Sequence, residues 1–299
     1  MRRHLPALAF LIAALLTDSA LAEEQHPEAA ARAIIDGEAR FYELGQEKGT
    51  RTAFLTFLAD DGIVFQPGPT NGRKVWNARP EGGLSLKWQP ILAAMSHSCD
   101  LGYTTGPAEW RRQKEDEKPF GYGQFVSIWK KQKDGAWKVA LDVGSEVPGA
   151  QKIEGAPEIL VGEDSASSPG DRAASLKKLR AAETWFADTA KTDSTAALIG
   201  SSSPAVRVHR EGVFPAVGRT PAGLMLSVHR GALSVERTGG EMSHAGDLAY
   251  SYGKYRLVRP ENTERGHYLQ IWRTAEKGEW KLTLDYQAPL PPEQKKPAG

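Results

Sequence analysis

Apolar residues fall in two distinct rhythms along this chain. Over "HPEAAARAIIDGEARFYELGQEKG" (26–49), Ile34 and Phe41, then Ile35 and Tyr42, recur seven apart, as on one side of an α-helix. Gly49-Thr50 opens a second, short helix through "RTAFLTFLA", which "DDG" ends. From "IVFQPG" onward the pattern changes to short apolar runs broken by Gly and Pro, with Trp76 and Trp88 among them. Strands are predicted there, around 95–98, at 102–105, and in a long hairpin, "GQFVSIWKKQKDGAWKVALD" (123–142).

The same order returns in the second half. "DRAASLKKLRAAETWFADTAK" (171–191) supplies a helix with Leu176, Leu179 and Phe186 on its apolar side. "KTDSTAAL" (191–198) answers "KGTRTAFL" (48–55), and "DLAYSYG" (247–253) answers "DLGYTTG" (100–106). "GHYLQIWRTAEKGEWKLTLD" (266–285) repeats the hairpin. Two copies at so long a period are a tandem duplication, not a solenoid. The units are 26–147 and 171–287. Between them, 148–170 has the Pro, Gly, Ser and acidic content of a linker, and the proline-rich 288–299 is expected to be a disordered tail.

In each hairpin a two-residue turn, Asp134-Gly135 or Lys277-Gly278, is expected to set the register. It pairs Ser127 with Asp142, Ile128 with Leu141 and Trp129 with Ala140; the second copy pairs Gln270 with Asp285, Ile271 with Leu284 and Trp272 with Thr283. Strand side chains alternate, so one face holds Val126, Ile128, Val139 and Leu141, and the other Phe125, Ser127, Trp129 and Asp142. Neither face has the composition of a solvated surface, so both are expected to be covered. The aliphatic faces of the two units are expected to meet, making an intramolecular pseudo-dimer.

Two helices, a first strand and a bent antiparallel sheet ending in W-x-V-x-x-D resemble the nuclear transport factor 2-like superfamily, and more narrowly its SnoaL-like and ketosteroid isomerase-like branches. "FLADDGIVFQPGPTNGR" (57–73) and "IWKKQKDGAWKVALDVG" (128–144) carry the resemblance in the first unit. The 266–285 stretch carries it in the second, where "SSP" (202–204) replaces "ADD". The resemblance implies an α+β fold of two cone-shaped units, each with N-terminal helices packed on a curved antiparallel sheet around a deep, mostly apolar pocket. It implies a small-molecule ligand without naming one, since this superfamily spans enzymes, binding proteins and interaction modules. The family's isomerases keep a catalytic carboxylate on the first strand. Here that strand is "IVFQ" (63–66) or "VRVH" (206–209), without an acid.

Asp142 and Asp285 are the leading candidates for chemistry. Each shares a face with a tryptophan and a small polar residue, and a carboxylate desolvated by aromatic walls has a raised pKa that suits general acid or base work. The alternative is that each closes the sheet through a backbone, Arg or Lys contact. Tyr103 and Tyr250, equivalent in the repeat, are the expected phenolic donors into the pockets. Ser127, Trp129, Gln270 and Trp272 complete the expected linings. Asp60-Asp61 stands where turn chemistry favours Asp and has no counterpart in the second unit. His209 and His267 belong to the second unit alone and lack a third ligand at a recognisable spacing, so no metal is assigned. The sequence holds no P-loop, dinucleotide, zinc-protease or nucleophile-elbow signature, and no cofactor is expected.

The first residues bear on where the protein works. Arg2-Arg3, the apolar "LPALAFLIAALL" (5–16) and Ala20-Leu21-Ala22 have the layout of a secretory signal peptide over 1–22. Export to the periplasm, or secretion, is therefore expected, with no membrane attachment after cleavage. Beyond that segment basic and acidic residues balance, which argues against nucleic acid or an anionic membrane as partner. Cys99 is the single cysteine, expected as a structural thiol. Two functions lead, binding a small, largely apolar molecule, or acid–base chemistry of isomerase, cyclase or hydrolase type with a pocket Asp and Tyr; a scaffold with both pockets filled by side chains is the third.

Overall fold

The structure, a computed structural model, describes residues 26–80, 82–161, 172–228 and 230–291. The expected signal peptide and residues 292–299 lie outside the described residues. Helix α1 (Pro27–Lys48) begins with Pro, whose missing N–H costs nothing in a first turn, and ends at Gly49. Gly49 has φ 90°, which residues with a side chain rarely adopt. The inner stripe of α1, including Ala31, Ile34 and Phe41, is buried as its spacing predicts. Phe41 packs edge-on against Phe54 of α2 (Thr50–Phe57), ring centroids 4.8 Å apart.

Strand β1 (Leu58–Phe65) follows directly. Asp60 and Asp61, expected in a turn, lie exposed in an irregular stretch of this strand, and Asp60 meets Arg73 at 3.5 Å. After β2 (Pro69–Asn71) comes a helix that the Gly- and Pro-rich pattern concealed, α3 (Gly72–Ala78). Asn71 caps it by accepting from Lys74 N, and Trp76 turns inward onto Phe54.

The first sheet is completed by β3 (Ser85–Trp88), β4 (Leu92–Met95), β5 (Leu101–Arg111), β6 (Gly121–Lys131), β7 (Trp137–Val147) and β8 (Glu158–Val161). Its order is β2-β1-β7-β6-β5-β4-β8, with β3 beside β5. Because β1 runs parallel to β7 and β8 parallel to β4, the sheet is mixed, where an antiparallel one was expected. Within the stretch read as a linker, 158–161 forms strand β8, whose Ile159 and Leu160 dock it on the otherwise open edge of β4.

The second unit repeats the plan with α4 (Arg172–Ala190), α5 (Ser194–Ser201), β9 (Ser202–Arg210), β10 (Ala216–Val217), α6 (Arg219–Ser227), β11 (Ala232–Met242), β12 (Leu248–Val258), β13 (Thr263–Thr274) and β14 (Trp280–Pro289). Its sheet order is β10-β9-β14-β13-β12-β11, and β14 extends two residues into the expected tail.

Both hairpins depart from the expected turn in the same way. Gln132 N bonds to Ala136 O, and Ala275 N to Glu279 O, closing three-residue loops. The longer loop shifts the pairing by one residue, and a β-bulge shifts it back. Ser127 therefore meets Asp142, and Gln270 meets Asp285, as expected, while Trp129 faces Val139 and Trp272 faces Leu282. Val139 leaves the aliphatic face for the helix side, and Ala140 takes its place.

Among the described residues the apolar core divides in three. Each unit has a core between its helices and the inner face of its sheet. A third joins the outer faces, with Val126, Ile128 and Leu141 of one unit and Leu269, Ile271 and Leu284 of the other. At its margin equivalent turns exchange carboxylates: His97 N donates to Asp247 at 2.7 Å, and His244 N donates to Asp100 at 3.1 Å.

Candidate functional site

The helices of the first unit stand off its sheet around a cavity of about 200 Å³. Phe41, Phe54, Trp76, Trp88 and Trp110 supply aromatic walls, and Ser127 and Asp142 project from the inner faces of β6 and β7. Ser127 Oγ donates to Asp142 Oδ2 at 3.0 Å. The Asp142 side chain is enclosed by protein but leaves an edge open to the cavity, and none of the charges acting on it is positive. Burial, then the neighbouring charge of Glu38, pushes its carboxyl up to about 7 against the pull of the Ser127 hydrogen bond.

Glu38 went unrecognised in the sequence, although α1 carries it in the middle of the apolar stripe, four residues after Ile34 and three before Phe41. Only 1% of its surface is exposed. Thr104 Oγ1 (2.6 Å) and Trp129 Nε1 (2.8 Å) donate to its Oε1, and Trp88 Nε1 (2.7 Å) donates to Oε2. Gly37 permits this close approach, since a Cβ there would lie 3.1 Å from the Trp129 ring. Burial raises the Glu38 carboxyl while these donors, and Ser127, pull it down. Ser127 thus stands between two buried acids.

Trp129, Tyr103 and Tyr250, expected as lining residues, lie elsewhere. Trp129 is fully buried behind the cavity wall, its indole N–H committed to Glu38. Tyr103 pairs with Ile128 and Tyr250 with Ile271, so strand parity puts both on the outer faces, in the core between the units. Burial raises both phenols. Neither donates into a pocket.

In the second unit the aspartate is neutralised. Asp285 is fully buried, with Arg210 Nη2 at 2.6 Å and Gln270 Nε2 at 2.9 Å. Arg210 comes from the last residue of β9, one beyond "VRVH". The remaining cavity holds about 90 Å³, and Tyr255 donates across it to Glu264 at 2.7 Å. Gln270, Trp272 and Asp285 do not line it. Trp272 Nε1 is buried without a hydrogen-bond partner. Glu183, three residues before Phe186 as Glu38 is before Phe41, is held by Arg180 and Arg237.

His209 is buried, and burial with Arg207 and Arg210 pushes its ring down to about 3. His267 packs against Phe65 of the first unit, ring centroids 6.0 Å apart. Among the described residues no three metal-binding side chains gather, and no helix is long and apolar enough to cross a membrane.

No protein-family model and no curated protein matches this chain. Solved structures do. A ketosteroid isomerase-like protein from Erwinia carotovora atroseptica is 16% identical, with a TM-score of 0.33, covering 41% of this chain and 98% of its own. An NTF2-like protein of unknown function from Shewanella oneidensis is 16% identical, with a TM-score of 0.30, covering 40% of this chain and 98% of its own. An NTF2-like protein with a cystatin-like fold from Novosphingobium aromaticivorans is 11% identical, with a TM-score of 0.32, covering 40% of this chain and 85% of its own. Each match extends over about the length of one unit.

Proposed function

We propose that this is an exported binding protein whose first unit takes a small, largely apolar ligand, while the second unit closes the first unit's outer face as a built-in partner. The observation that carries this reading is the contrast between equivalent aspartates. Asp142 borders an aromatic cavity and has no cation among the groups that shift it, Arg79 lying over Trp76 in the same cavity, whereas Asp285 is paired with Arg210. A carboxyl raised to about 7 is half protonated at that pH and largely neutral below it, where it donates one hydrogen bond to an acceptor on the ligand. Aromatic walls supply the apolar contact. The test is quenching of the Trp76, Trp88 and Trp110 fluorescence by neutral aromatic ketones, alongside native mass spectrometry of the purified protein for a retained small molecule. Absence of both, with the cavity intact, would falsify the reading. N-terminal sequencing of the protein from separated cell fractions tests export.

A second reading rests on the same Asp142. A carboxyl titrating near neutrality is placed for general acid or base work on a bound molecule. Asp142→Asn separates the two. Binding alone changes little for a neutral ligand, whereas turnover of a substrate found by screening falls by about 10²-fold or more.

A further inference from the structure

Behind Trp88, on the opposite side from the first cavity, lies a second and larger one of about 370 Å³. Apolar walls come from α1 (Ile35, Ala39) and from Pro90 and Pro107, and the stretch after β7, with Ile153 and Pro157, closes it over. The covering stretch is held at two points: Gln151 Oε1 accepts from Gln124 Nε2 at 2.6 Å, and β8 pairs with β4. Three aromatic rings face the space. Tyr42 and Trp88 meet edge-on with centroids 5.7 Å apart, and Tyr122 contributes from β6. The floor is Glu38.

The Glu38 carboxyl is unusual in its surroundings. Three donors hold it in place, two on Oε1 and Trp88 on Oε2, and Ser127 stands nearby. All three donors are neutral, and none of the forces acting on Glu38 comes from a cation. A buried carboxylate without a positive partner is costly, and removal of that cost by a bound cation is a source of affinity. Lys87 and Glu109 also border the cavity; Lys87 is exposed, and Glu109 is paired with Arg111 at 2.6 Å.

We propose that this second cavity is a binding site for an organic ammonium ion, an amine carried on an apolar or aromatic body. The ammonium pairs with the Glu38 carboxylate at the floor of the cavity, and the rings of Trp88, Tyr42 and Tyr122 offer it cation–π contact. The body fills the space between α1 and the covering segment. Its acid is Glu38 and not Asp142, although the two cavities share Trp88 and the Glu38 charge is felt at Asp142.

Isothermal titration calorimetry of the full chain at pH 7.5, with phenethylammonium and its neutral counterpart phenethyl alcohol, tests it. The amine is expected to bind at least about tenfold more tightly than the alcohol. Glu38→Gln should level the two, Asp142→Asn should leave the preference in place, and Ala39→Trp, which plugs the mouth without touching Glu38, should abolish amine binding. Equal binding of amine and alcohol, or no binding of either, overturns the proposal. So does a preference that survives Glu38→Gln, or one lost in Asp142→Asn but kept in Glu38→Gln. If Glu38→Gln does not fold, Ala39→Trp decides, and an unchanged amine affinity in that variant overturns the site.

Discussion

Asp142 and Asp285 hold the same place in the repeat, and Arg210 is what separates their chemistry. For Asp142 the separation has a measurable sign. Its folded-state pKa lies near 7 and its ordinary value near 3.8, so the folded protein holds the proton more tightly than the unfolded chain. Stability from this group is full below about pH 3.8, falls as the unfolded chain ionises, and is lost by the time pH has risen through 7. Asn cannot ionise. Asp142→Asn is therefore expected to be near neutral at pH 4 and to stabilise the protein at pH 8 by about 2–3 kcal/mol, less than the full linkage value because the carboxyl borders a cavity. Urea unfolding at the two pH values checks this, and a variant less stable than the parent at pH 8 would show that Asp142 is a structural anion instead. The aspartate itself was legible from strand parity. Arg210 was not, because the pairing of β9 with β14 joins residues 75 apart and no local pattern sets that register.

The two units also differ where the first helix lies over the tryptophan of the hairpin. Both helices cross a buried tryptophan, but Trp129 ties its indole N–H to the acid on α1 while Trp272 ties its own to nothing. Trp129→Phe removes one donor from a buried carboxyl, a loss of about 1–3 kcal/mol beyond the change in ring size. Trp272→Phe removes an unpartnered buried donor, which relieves a cost and offsets part of the lost packing. The first variant should be the less stable by at least about 1 kcal/mol in parallel denaturation experiments. Equal losses would mean that the Glu38 bond contributes nothing net. The helix stripe in the sequence already contained the clue, since an acid between Ile34 and Phe41 on an inward face must be buried or break the helix packing. The hairpins were harder. A Gly at Gly135 or Gly278 signals a turn with positive φ, yet it does not distinguish two residues from three, and the compensating bulge leaves no mark in the apolar alternation.

At the scale of the molecule, the duplication has let two similar cones diverge. One keeps an open aromatic cavity, and the other fills its own with Arg210, Tyr255 and Glu264. If the second unit serves as a permanent partner, the outer face of the first depends on it. Val126, Ile128 and Leu141 are each 1% exposed or less, and much of that cover is the opposite sheet with Leu269, Ile271 and Leu284. Two turns each give a carboxylate to the other unit, through Asp100 and Asp247, as at a two-fold interface between identical chains. Residues 26–161 alone would bare that aliphatic face, a contiguous apolar patch of the kind that drives association. The isolated unit is therefore expected to dimerise or precipitate, and the whole chain to sediment as a monomer over a broad concentration range, since its apolar face is already satisfied within the chain. Sedimentation velocity on both proteins decides it. A soluble, monomeric isolated unit together with a concentration-independent dimer of the whole chain would mean that the outer faces meet between chains, and the pseudo-dimer would have to be abandoned.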